Sequence, residues 1–338
     1  MASSRPAVLA LLALLALPVP SLGQGLKIAA GDVGLGIGDV PRLDGIRLNF
    51  RDRELRKVRG LNATIWGPYQ GARGEVRGLA LGVPLTGAAD MSGLAVGLGV
   101  EVERTFTGVG LAPIGFGAGD RIRGIAVGGI GIGGGGELEG LMVGGVGLGV
   151  AGDIRGVVVG GVGAGAGGDL EGLAVGGVGI GAGGRVTGVV IGGVGAGASG
   201  DVRGIVIGGV GVGAGEDVTG IAVGGVGVGA GGELKGLAIG GVGVGAPRIR
   251  GVVLTGVGAG AEDARGFVLA PAYFEIEEGG VMEGVSVSAW NRIRGRQHGV
   301  AIGLLNVADE LHGLQLGLIN IARNKDSFSV LPLVNYHR

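Results

Sequence analysis

The side chains that could do chemistry are few and scattered. Three histidines, His298, His312 and His337, fall near the borders of successive short units. His298 and His312 take the same place in neighbouring units, where two rings can stack, but a metal site needs further ligands. Asn306, Asn320 and Asn335 fall in register without an acid or base beside them. Asparagines stacked at a corner of a repeat fold hydrogen-bond the backbone of the next layer, which is a structural task. Gly163, Gly165 and Gly168 satisfy a Gly-x-Gly-x-x-Gly pattern, but in a chain with 87 glycines such matches arise by chance, and no strand-to-helix context surrounds them. There is no Gly-Lys-Ser/Thr phosphate loop, and Gly167-Gly168-Asp169 lacks the spacing of a calcium-binding nonapeptide. Asn62-Ala63-Thr64 is a glycosylation sequon of the kind that occurs by chance.

Composition narrows the chemistry further. With no Cys there is no disulfide frame and no thiol nucleophile, and a net charge of −1 offers no footprint for nucleic acid. Carboxylates come one or two per unit. The stretch from Gly124 to Gly251 holds no aromatic residue on which a sugar ring could stack. Ranks of Thr that could face ice are missing too; Thr187 and Thr219 stand at a corner. The expectation is a chain without catalytic, cofactor or metal residues.

The elements that carry these residues come from one repeat. A glycine follows a charged-apolar-polar triplet at Gly124, Gly140, Gly156, Gly172, Gly188, Gly204, Gly220 and Gly236, sixteen residues apart each time. Gly251 and Gly266 continue at fifteen, and weaker copies run back to Gly45 and forward through Gly313 to Ser327. In the unit Asp153 to Gly168, bulky Val157 and Val159 flank a position that varies among Ala, Val and Met. That period of two predicts strand, with Ile154, Val157, Val159, Val162 and Ala164 directed inward. Gly160-Gly161 and Gly167-Gly168 mark two bends, so each unit is two short strands and two corners. Glycine at this density excludes helix.

One such unit buries too little to order itself, so units must stack. The prediction is an all-β chain, a β-solenoid of about 19 coils of some 14–18 residues with two short strands each, about 4.8 Å per coil and of order 90 Å long. Gly163 and Gly165 then face outward and leave one sheet bare, a possible docking face for self-association or for a component of the cell envelope. The triplets form a charged corner on which mixed signs avoid repulsion, as where Arg121 precedes Glu137 and Arg185 lies between Asp169 and Asp201. The competing architecture is an outer-membrane β-barrel, in which Val157 to Ala166 would be one spanning strand; the missing aromatic girdles and head-to-tail repeats count against it.

The chain divides by pattern. Residues 1–23 read as a Sec-type secretory signal, with Arg5 before an apolar run and a small-residue site at Ser21-Leu22-Gly23, so the mature chain is expected outside the cytoplasm. Residues 24–41 read as a linker or cap, 42–120 as irregular repeats, 121–266 as the regular repeats, and 267–283 as an irregular insertion around Tyr273 and Phe274. Residues 284–338 read as shorter repeats and a cap, with Pro332 suited to an edge strand. In this last part, Gly-Val-Ala-Ile-Gly-Leu-Leu-Asn-Val-Ala (299–308) and Gly-Leu-Gln-Leu-Gly-Leu-Ile-Asn-Ile-Ala (313–322) resemble a family of bacterial surface-repeat proteins known from spirochaetes and other Gram-negative bacteria. The resemblance implies export and a repeat fold at the cell surface, and brings no reaction or catalytic residues with it.

Overall fold

The computed structural model describes residues 25–69 and 74–338; the stretch read as a secretory signal lies outside them. The described residues are all-β, 75% strand with no helix among them, and wind as a β-solenoid of about 16 turns rather than 19. A barrel is excluded, because equivalent strands pair parallel in consecutive coils: Ile154–Gly160 lies between Glu137–Gly144 and Leu170–Gly176, all in register. Two compact units divide at Leu111/Ala112.

In the first unit a hairpin comes first. Leu26–Ala30 runs antiparallel to Val33–Ile37, which pairs parallel with Arg42–Arg51, and that strand with Lys57–Trp66. Its core holds Leu43, Leu55, Val58 and Phe106, together with a polar group. Arg47, 0% exposed, bonds Asp39 at 3.0 Å and Asn62 at 2.9 Å, and pairs with the buried Asp52. Asn62 of the glycosylation sequon is thus a buried hydrogen-bond acceptor.

In the second unit each regular coil is a longer strand such as Ile154–Gly160, a corner at Gly161-Val162, a short strand such as Gly163–Ala166, and a second corner. The period-marking glycine has a conformational reason. Gly156 has φ +128°, and a Cβ there would sit 2.2 Å from the carbonyl oxygen of Gly140. The spacing read from the sequence is the spacing of this positive-φ glycine within the long strand.

The inward set differs from expectation. Ile154 and Ala164 point in, but Val157, Val159 and Val162 do not; the variable position, Val158, is buried and Val162 is 50% exposed. In several coils the variation is volume matching across a narrow interior, although Met142 and Leu148 are both large and Val206 and Val212 are equal. Where the place of Val158 is small the place of Ala164 is large, as in Ala126 with Ile132 and Ala174 with Ile180. The order reverses in Val158 with Ala164 and Val190 with Ala196. The uniform Val, Ile and Leu columns lie on the outside, where each side chain stacks on its neighbour along the sheet surface.

Residues 267–283 form no insertion. Tyr273–Ile276 pairs in register with Gly258–Ala261, and Val281–Val287 with Asp263–Leu269. The extra residues are absorbed at one corner, where Gly280 N–H donates to the Glu277 carbonyl and Gly279 takes φ +79°. At the end, Val330–His337 folds back antiparallel on Trp290–Ala322, so the stretch that echoes the repeat is a cap and not another turn.

Candidate interaction surface

The charged corner is built by a backbone contact that the sequence reading missed. The carboxylate of Asp153 accepts the N–H of Asp169 at 2.9 Å, that of Asp169 the N–H of Arg185 at 2.7 Å, and that of Asp217 the N–H of Glu233 at 2.6 Å. Each Asp ties the corner of the next coil. The preceding residue must then be small: a Cβ on Gly168 or Gly184 would lie 2.2 Å from the Asp oxygen. Where Glu216 stands in that place, the bond from Asp217 N–H to Asp201 stretches to 3.3 Å. Mixed signs also pair as expected, Arg121 with Glu137 at 2.9 Å and Arg185 with Asp201 at 3.4 Å. Burial pushes the Asp201 carboxyl up, but the Asp217 N–H, Arg203 and Arg185 outweigh it and hold the group below its ordinary range.

Asn306 and Asn320 form the predicted stack, and the structure extends it. Asn291 donates to Asn306 and Asn306 to Asn320, both at 2.7 Å, while Asn291 also donates to the Ile302 carbonyl and Asn306 to that of Leu316, both at 3.0 Å. Asn335 joins differently: it lies on the antiparallel strand opposite Gln315, accepts from Lys325 Nζ at 2.9 Å and donates to the Asn320 backbone carbonyl at 3.5 Å rather than to its side chain. The sequence signal for Asn291 was its place fifteen residues before Asn306, hidden because its surroundings lack the Gly-Leu pattern. His298 and His312 stack as anticipated, 5.0 Å between ring centres and 11° between planes, with His337 tilted 6.3 Å from His312. Among the described residues no cluster of three or more metal-ligating side chains forms.

Gly163 and Gly165 stand on the outer side of the short strand, between the buried Ala164 and Ala166. Their columns run from Gly115 and Gly117 to Gly258 and Gly260, each paired parallel with the next. Most glycines of the unit are there because the neighbouring coil leaves no room, and that holds at Gly163, where a Cβ would lie 2.8 Å from the carbonyl oxygen of Gly179, but not over most of the Gly165 column. At Gly149, Gly181, Gly213, Gly229 and Gly245 a Cβ would meet nothing within 4 Å, and φ is not positive. Within the chain each costs about 0.5–1 kcal/mol against alanine and gains no contact. The next two coils show that side chains fit, since Tyr273 with Glu275, then Trp290 with Arg292, occupy the same two columns.

Beside this trough runs a ridge. The corner residue before the first trough glycine is apolar and about half exposed throughout, from Ile130 at 57% through Val162 to Val257 at 47%. Where Tyr273 and Trp290 fill the trough, Ala272 and Ala289 take the ridge position and the ridge drops away. A shallow apolar depression of about 400 Å³ opens at that drop, lined by Leu269, Pro271, Val287, Ala289, Ile302 and Leu304. Trp290 meets Tyr273 edge to face with centroids 5.1 Å apart and is itself 42% exposed.

Comparison with protein-family models, with curated proteins and with solved structures finds no match to this chain.

Proposed function

We propose that the chain is an exported, non-enzymatic repeat protein that serves as a structural or interaction element at the bacterial cell surface or in the envelope. The observation that carries this reading is the division of the second unit's outer surface. Charged side chains, many of them ion-paired, keep to one corner of the coils, while the other corner and the short-strand face are apolar or bare over the whole run of regular repeats. A catalytic site needs unlike groups converged at one point, whereas this surface repeats like groups along a line, which suits broad contact. The signal-like first residues and the likeness of 299–322 to bacterial surface repeats support the address. The test is fractionation of cells that express the full chain. The mature protein should lose its first residues, leave the cytoplasm and be reached by protease in cells with a permeabilised outer layer. Retention of an uncleaved chain in the cytoplasm overturns the reading.

A further inference from the structure

The ridge and the trough lie side by side along one strip, which makes the strip complementary to itself. Placed face to face about a two-fold axis parallel to the solenoid, two copies set the ridge of each over the trough of the other. We propose that the second unit docks against a second copy of this chain in this way, parallel and in register, with the Ile130–Val257 ridge of each copy seated in the Gly163/Gly165 trough of its partner. The proposal rests on the reading of the chain as an interaction element and names the partner.

Three observations favour a second copy over another occupant. In the column of Gly165, Gly133, Gly149, Gly181, Gly213, Gly229, Gly245 and Gly260 have no steric or conformational cause within the chain, and glycine without such a cause often marks close approach by another backbone. Ridge and trough also change size together. Where Tyr273 and Trp290 raise the trough floor, Ala272 and Ala289 lower the ridge, and the apolar depression beside Ala289 offers the partner's exposed Trp290 a seat. Only a parallel, in-register partner brings a raised floor opposite a lowered ridge. Finally, the strip has the pitch of a β-stack, which a second copy matches coil for coil. About ten coils at ~4.8 Å and a width of ~15 Å give about 700 Å² per partner, close to the ~800 Å² per partner of a standard specific interface.

The chain has no cysteine, so cross-linking is clean. Val178→Cys and Gly181→Cys lie on the ridge and trough of one coil, and Gly181 has open space around it. Mixing the two single variants under mild oxidation should give a disulfide-linked dimer, whereas mixing Val146→Cys with Gly245→Cys, several coils apart, should not. In sedimentation, the mature protein should be a dimer at micromolar concentration. Gly213→Thr with Gly229→Thr should weaken the dimer at least 100-fold while far-UV dichroism, and melting of the protein dilute enough to be monomeric, stay those of the parent. A parent that remains monomeric, a double variant that dimerises like the parent, or cross-linking of the distant pair alone overturns the proposal. So does a monomer whose ridge is instead protected by phosphatidylethanolamine–phosphatidylglycerol vesicles, a result that leaves the envelope reading standing. A dimer recovered from the cytoplasm overturns that reading and upholds this one.

Discussion

The carboxylate of Asp169 accepts the backbone N–H of Arg185, sixteen positions later, at 2.7 Å. One side chain thereby fixes the height at which the next coil leaves the corner, and the same bond recurs wherever Asp holds that place. Corner geometry is set by this acceptor more than by the ion pairs around it. Exposed pairs contribute about 0–1 kcal/mol each, and a hydrogen bond with a charged partner about 1.5–3.

Asp169→Ala should therefore lower stability by about 1–2 kcal/mol, while Asp169→Asn, which keeps an acceptor oxygen, should restore most of it. Urea unfolding of the two variants beside the parent measures the difference. Equal loss in both would assign the effect to charge alone.

Asp201 carries the same bond plus two arginines, and its carboxyl is held below the ordinary Asp value. A depressed folded-state value means that the stabilisation is complete above the unfolded pKa, about 3.9, and is lost as pH falls below it toward the folded value. The urea midpoint should fall between pH 5 and pH 3, and Asp201→Asn should fall less over that interval.

Two glycines of one chain should answer alanine oppositely. Gly156→Ala forces φ +128° on a residue with a Cβ and drives it to 2.2 Å from Gly140 O, so a loss above about 1 kcal/mol is expected. Gly149→Ala meets open space and should be neutral or stabilising by about 0.5–1 kcal/mol. Thermal melts of both suffice.

Volume matching inside the coil predicts coupled core substitutions. Ala174→Val should overpack by about 1–3 kcal/mol, and Ile180→Ala should open a cavity at about 2–5 kcal/mol. Together they reproduce the Val158/Ala164 arrangement of the preceding coil, so the double variant should cost less than the sum. Simple additivity would mean that the two places do not share space.

In the first unit Arg47→Met leaves Asp52 buried without its cation, a change that typically costs about 3–5 kcal/mol. Replacing Asp52 by Asn in the same chain should recover part of it. Denaturant titration of the single and double variants gives both numbers.

The sequence shows the solenoid because its cause is local: a glycine that must take positive φ recurs at fixed spacing and marks each coil. The corners, the Ile154 and Ala164 columns and the Asn306–Asn320 stack are legible for the same reason. The phase of the long strand is not. Val157 and Val159 are the uniform, bulky pair, and uniform bulk ordinarily signals a core. Here the interior is narrow, and in several coils its residues change size in step across the coil, so variability marks the inside. Asn335 misleads differently, since its sequence echo survives on a strand that reverses direction. The Asp–backbone ladder was hidden because a column of charge reads first as electrostatics.

Leu26–Ala30 and Val330–His337 each lie antiparallel over a strand that would otherwise offer a fresh parallel template. Parallel stacking therefore stops at these two strands among the described residues, and each presents an antiparallel strand in place of another coil. Whole sixteen-residue coils can then be added or removed between the two closing strands without remaking either.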